Sequence, residues 1–148
     1  MEKIEKIKKL REETGISIKE CKKALEGANW DIEKAKQMLK ERFGVIAKKL
    51  EKREAREGVV EAYIHSDKRI GAMVKLCCES DFVARSPDFQ KLAHEICLQI
   101  AAIDPKEVPL LEQNWIKDET KKVKDLIDEF SAKFREKIIL EDFCRFQI

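Results

Sequence analysis

The sequence predicts an α+β fold. A three-helix module covers residues 1–43, a charged linker helix covers 44–57, and residues 58–148 form a core in which helices pack a three-stranded antiparallel sheet. Three observations predict it. Apolar residues recur at helical spacing through the first forty-odd positions, the pattern changes to alternation just after Gly58, and the chain ends on a further alternating run, IILEDFCRFQI.

In the first helix Ile4, Ile7 and Leu10 share a face, and Thr14-Gly15 stops it. The second opens with Ser17-Ile18-Lys19-Glu20, a capping box in which the Ser17 hydroxyl accepts from the Glu20 amide and Glu20 reaches back. Ile16 and Cys21 flank it as a hydrophobic staple, and Gly27 ends the helix. Asp31 caps the third helix, which buries Ile32, Ala35 and Leu39 with Trp30 at its entrance. The stretch AKKLEKREARE is charged nearly all round and reads as a solvated linker. Beyond Gly58, Val60, Ala62 and Ile64 alternate, Ser66-Asp67-Lys68-Arg69 forms a turn, and Ile70, Ala72, Val74, Leu76 and Cys78 alternate again, giving a hairpin with one buried face. Ser86-Pro87 opens a strong helix carrying Phe89, Leu92, Ala93, Ile96, Ile100 and Ile103, which Asp104-Pro105 ends. A last helix from about Thr120 turns Val123, Leu126, Ile127, Phe130 and Phe134 inward, and the terminal run supplies the third strand.

Composition narrows the function. Charged residues are 41% and hydrophobic residues 43% of the chain, which suits a packed helical structure rather than disorder. The net charge is only +2, with acids and bases interleaved, so direct nucleic-acid binding is not expected. No apolar run is long enough for a bilayer and the N-terminus lacks a signal-peptide pattern, so no membrane contact and a cytoplasmic location are expected. Cys21, Cys77, Cys78, Cys97 and Cys144 form no C-x-x-C pair, and with two histidines there is no zinc spacing. The cysteines read as small buried apolar residues in a reducing compartment. No catalytic constellation, phosphate-cradling glycine loop, metal set or cofactor motif is present, so the chain is not expected to be an enzyme.

The informative segment is Cys78-Glu79-Ser80-Asp81-Phe82-Val83-Ala84-Arg85, between a buried strand and a helix, where a loop can project. Taken alone, Ser80 or Asp81 could be a helix cap and Phe82 a core residue. The run Ser80 to Arg85 resembles the T-D-F-V-A-[KR] signature of the elongation factor Ts family. Thr14-Gly15 with Glu20-Cys21-Lys22-Lys23-Ala24-Leu25 resembles that family's N-terminal signature, and Asp31-Ile32-Glu33-Lys34-Ala35 extends the match. Tyr63-Ile64-His65 with Arg69-Ile70-Gly71 is similar to its hairpin. Leu111-Glu112-Gln113, Ile116-Lys117-Asp118, Thr120, Val123-Lys124-Asp125-Leu126 and Phe146 follow in order. The chain departs at Ser80, where the family usually has Thr, and at Asn29-Trp30, where it often has Asn-Gly. A long charged helical segment is missing after Val108-Pro109, and the Gly usual before the last strand is absent from Phe134-Arg135-Glu136-Lys137.

The resemblance implies a guanine-nucleotide exchange factor that binds elongation factor Tu and speeds GDP release. It implies that the N-terminal helices, similar to ubiquitin-associated domains, dock through Ile18, Lys19 and Lys22. It implies that Asp81 and Phe82, with Ser80 and Val83 beside them, intrude near the GTPase's magnesium and phosphate site, and that His65 approaches another domain of the partner. A shortened binding module without exchange activity is the alternative.

A homodimer is also expected. Single-core members of the family pair to supply a second half, and the terminal run carries apolar residues on both faces, with Leu140, Cys144, Phe146 and Ile148 alternating with Ile139 and Phe143. Met73, Cys77, Phe143 and Cys144 are the expected interface, with Cys144 near its symmetry mate.

Overall fold

A computed structural model describes residues 1–148. Three helices come first, α1 (Lys3–Thr14), α2 (Ile18–Gly27) and α3 (Ile32–Leu50). The hairpin β1 (Glu57–Ile64) and β2 (Ile70–Cys78) follows, then a single turn α4 (Asp81–Ala84) and the long α5 (Pro87–Ala102). A 3-10 turn at Leu110–Glu112 leads to the short strands β3 (Asn114–Trp115) and β4 (Asp118–Lys122), then α6 (Val123–Phe134) and β5 (Ile139–Gln147). The main sheet is antiparallel in the order β1-β2-β5, so the fold is α+β with the expected three-stranded sheet.

The caps explain the helix starts. Ser17 Oγ accepts from Glu20 N at 3.3 Å, Asp31 Oδ1 from Lys34 N at 3.2 Å, and Ser86 Oγ from Phe89 N at 3.2 Å. Glu20 does not reach back to close a capping box. Its carboxylate pairs with Arg42 of α3 at 3.1 Å, because a neighbouring cation competes for it. α1 ends where Gly15 takes a left-handed φ of 71° and its N–H bonds Arg11 O.

The stretch expected as a separate linker helix over 44–57 is different. α3 runs without a break through residue 43 to Leu50, and irregular chain follows to Arg56. Phe43, Ile46 and Leu50 lie three and four residues apart and form an apolar stripe with Phe43 and Leu50 buried, so this helix is not solvated all round. Leu10, Cys21, Leu25, Ala35 and Leu39 cluster with Phe43 and with Ala132 of α6, which ties the N-terminal helices to the core.

The main core lies between the sheet and the helices α5 and α6. Val74, Leu76 and Cys78 of β2 meet Phe89, Leu92, Ile96 and Ile100 of α5, with Val123, Leu126 and Ile127 of α6. On β1 the buried phase is one residue off the sequence reading. Val59 and Tyr63 pack on this core, whereas Val60 and Ile64 are exposed on the open face. The register pairs Val59 with Leu76 and Tyr63 with Ala72, and paired residues share a face. Both faces of β1 are apolar, so alternation alone could not choose between them. Gly58 is required where β1 starts, since a Cβ there would overlap Leu76 O and lie 2.8 Å from Cys77 Cα.

Residues 114–122, part of which was read as the start of the last helix, form the β3–β4 hairpin instead. α6 begins only at Val123, with the Lys122 amide bonded to Asp125 at 2.9 Å. Three non-glycine residues adopt left-handed backbone where the chain departs from the signatures it resembles. Asn29 and Trp30 have φ of 54° and 63°, and Arg135, directly after α6, has φ 55°. A left-handed non-glycine residue costs about 1–2 kcal/mol, partly offset by the chain entropy a glycine would lose. Arg135→Gly is therefore expected to stabilise the fold by about 0.5–1 kcal/mol, read as a higher denaturation midpoint at unchanged slope.

Asp128 of α6 lies beside Gly44 of α3, with its Oδ2 3.8 Å from where a Cβ would stand. Burial, then the negative charge of Asp125, raises its pKa from 3.8 to about 6, against the opposing charge of Lys124. The folded state thus holds this proton more tightly than the unfolded chain, and the carboxyl's contribution falls as pH rises from about 4 through 6. Asp128→Asn is expected to gain about 1 kcal/mol at pH 7, after discounting for partial exposure. The gain should vanish in melts at pH 4.

Candidate functional site

The Ser80–Arg85 motif occupies the junction between β2 and α5. The chain turns there because Ser80 caps α4, its Oγ accepting from Val83 N at 3.2 Å, and because Ser86 then caps α5 while donating to Val83 O at 2.7 Å. Two serine caps six residues apart make a tight, hydrogen-bonded corner. Val83 and Ala84 are buried in the main core and pin the turn from inside. Asp81 and Phe82 are left on the outside.

Phe82 is 82% exposed, which excludes a core role for this ring. Asp81 is also exposed, and its only cation is Arg85 one turn on, at 3.6 Å. Ser80 and Val83 are placed differently from this exposed pair. Val83 faces inward and has no side-chain surface to offer a partner, and the Ser80 hydroxyl is already used in capping and in a bond to Glu136 at 2.7 Å. Glu136 was not singled out from the sequence. Its Oε1 also accepts from Glu79 N at 3.1 Å and Ser80 N at 3.0 Å. Cys78, directly beneath, donates to Ser80 O at 3.2 Å. Burial, reinforced by Glu136, pushes its thiol up to about 11, and burial pushes Cys97 up to about 12. Both remain protonated at neutral pH and are poor nucleophiles.

The other expected residues lie apart from this corner. Ile18, Lys19 and Lys22 are exposed on α2, and Lys22 is 3.9 Å from Glu26. His65 is exposed at the end of β1, and its Nδ1 meets the Tyr63 hydroxyl at 2.8 Å. Met73 and Cys144 are register partners on the open sheet face, and both are exposed. Cys144 is thus the one cysteine that is not buried. Phe143 pairs with Val74 and so belongs to the helix side of the sheet, and Cys77 is only 7% exposed between Gly58 and Ile139. Neither adds surface to the open face.

No group of three or more His, Cys, Asp or Glu side chains is placed to hold a metal ion. A polar cleft separates α1 and α3 from β4 and α6, but its lysines are already paired. Lys36 meets Glu13 at 2.6 Å, Lys40 meets Asp125 at 3.5 Å, and Lys121 meets Glu129 at 2.8 Å. No helix is long and apolar enough to cross a membrane.

The family model described as "Elongation factor TS" matches residues 5–109. The elongation factor Ts of Thermotoga maritima is 38% identical over 186 aligned positions, covering 96% of this chain and 94% of that protein. That of Thermodesulfovibrio yellowstonii is 38% identical over 187 positions with the same coverage. Both alignments are longer than the 148-residue chain, so each relative has stretches with no counterpart here. The model match stops at Pro109. With a match over most of its length and relatives covered almost end to end, this chain belongs to the elongation factor Ts family of translation factors.

Proposed function

We propose that the chain is a guanine-nucleotide exchange factor for elongation factor Tu, acting by insertion of Asp81 and Phe82 near the magnesium and phosphate site. The observation that carries this reading is the exposure of Phe82 on a corner fixed by two serine caps. A solvent-facing aromatic on a rigid turn has desolvation energy to gain from a partner and little conformational entropy to lose.

The chemistry needed is linkage. A factor that favours the nucleotide-free GTPase must bind that state better than the nucleotide-bound one, and nucleotide then weakens the factor by the same ratio. An aromatic wedge switches packed helices between discrete arrangements, and a carboxylate beside it competes for charge-neutralising contacts that nucleotide binding requires. No bond is made or broken by this chain.

In this reading the N-terminal helices, residues 1–43 with the remainder of α3, dock through Ile18, Lys19 and Lys22, and His65 meets a second domain of the partner. The open sheet face, with Met73 and Cys144, pairs two copies of the chain. The deciding experiment is release of labelled GDP from elongation factor Tu. Acceleration supports the reading. Binding without acceleration leaves a module that has lost exchange activity, which the shortness of this chain against alignments of 186 and 187 positions makes the second reading.

A further inference from the structure

The Asp81–Phe82 turn is held from below by one distant carboxylate. α4 has four residues, too few for a helical turn to be stable by itself. Two backbone donors just before it, Glu79 N and Ser80 N, both point to Glu136 Oε1, at 3.1 and 3.0 Å, and Ser80 Oγ donates to Glu136 Oε2 at 2.7 Å. The same Oγ accepts from Val83 N, so Glu136 acts through the cap on the turn that carries Phe82. Charged acceptors make shorter and stronger bonds than neutral ones.

The clasp is reciprocal. The Glu79 carboxylate accepts from Lys137 N, and Arg53 stands 3.6 Å from Glu79. Ser131 Oγ donates to Glu136 O at 2.6 Å, and the left-handed backbone of Arg135 turns the chain so that Glu136 faces the β2–α4 junction. Two segments more than fifty residues apart are thereby locked together under the exposed ring.

We propose that Glu136 is a positioning residue for nucleotide exchange, holding the Asp81–Phe82 turn in the orientation that engages the GTPase. The proposal rests on the reading of Asp81 and Phe82 as the inserting pair. A wedge transmits force only if its base cannot give way. With Glu136 removed, three donors at the base lose their acceptor and the four-residue turn can rotate, while the distant α2 and hairpin surfaces remain as they were. The loss should therefore fall on the rate of release at saturation rather than on affinity.

The test is GDP release from elongation factor Tu, titrated to saturation with wild type, Glu136→Ala, Glu136→Gln and Phe82→Ala. Amide hydrogen exchange is followed at Glu79 and Ser80. Glu136→Ala is expected to lower the saturating rate roughly tenfold with less than about threefold change in half-saturating concentration, and to expose both amides while α5 stays protected. Glu136→Gln keeps an oxygen for the two N–H donors and should recover most of the rate and the protection. If Glu136→Ala does not fold, Glu136→Asp replaces it, since it withdraws the carboxylate by one methylene. A full saturating rate in the folded Ala or Asp variant, with Phe82→Ala slow, overturns the positioning role alone. A full rate in Phe82→Ala overturns the underlying reading of the motif, and the proposal with it.

Discussion

Phe82→Ala is expected to slow GDP release from elongation factor Tu by roughly thirtyfold or more, because truncating a central aromatic anchor costs about 2 kcal/mol or more at an interface. The same change should leave stability within about 0.5 kcal/mol, as for other exposed side chains, since the ring is 82% exposed and belongs to neither hydrophobic cluster. Phe89, seven residues on, is the control. It is fully buried, and Phe89→Ala should cost about 3–5 kcal/mol. Asp81→Ala should behave like Phe82→Ala, because its ion pair with Arg85 lies at the surface and contributes little to folding. Stopped-flow release with thermal melts of the three variants separates the cases. A Phe82→Ala protein with a lowered melting temperature and normal exchange would remove the inserting pair from the mechanism.

What the sequence made legible was local. Ser17 and Asp31 were readable as caps because each satisfies a donor three residues on, and both do so. The sheet and α5 followed from long, consistent periods. The phase of β1 was hidden because Val59 and Tyr63 on one side compete with Val60, Ala62 and Ile64 on the other, and only pairing with β2 decides. The β3–β4 hairpin escaped because its strands are two and five residues long and its turn, Ile116-Lys117, has neither Gly nor Asn. At the candidate site, Asp81 and Phe82 stood out by resemblance, but their exposure could not be read from the residues, since an aromatic before Val83-Ala84 fits a core as well. Glu136 was invisible for a different reason. Its partners are Glu79 and Ser80, and nothing in a charged run after a helix signals a contact over that separation.

Met73→Asp is expected to convert a homodimer into a monomer, weakening self-association by roughly a hundredfold or more, because a carboxylate buried without a partner costs several kcal/mol. The open face of the sheet is the reason. A solvated antiparallel face should be polar, yet this one presents Val60, Ala62, Ile64, Met73, Cys144 and Phe146, with Phe146 75% exposed. Ala62, Met73 and Cys144 form one cross-strand row, and Ile64, Gly71 and Phe146 the next, so the apolar atoms are contiguous and line a shallow groove. Two such faces related by a two-fold axis bury each other without a further segment, and Met73 lies mid-row on the central strand. In the monomer the substitution meets only water, so helices α1 to α3 and the core should keep their melting temperature. Phe143→Asp is the contrasting variant. Its register partner is Val74, on the helix side, so it should disturb the fold more than the association. Sedimentation in reducing buffer reads the outcome directly. Wild type sedimenting as a monomer across the micromolar range would refute the pairing. Dimers persisting in Met73→Asp would place the contact on some other surface.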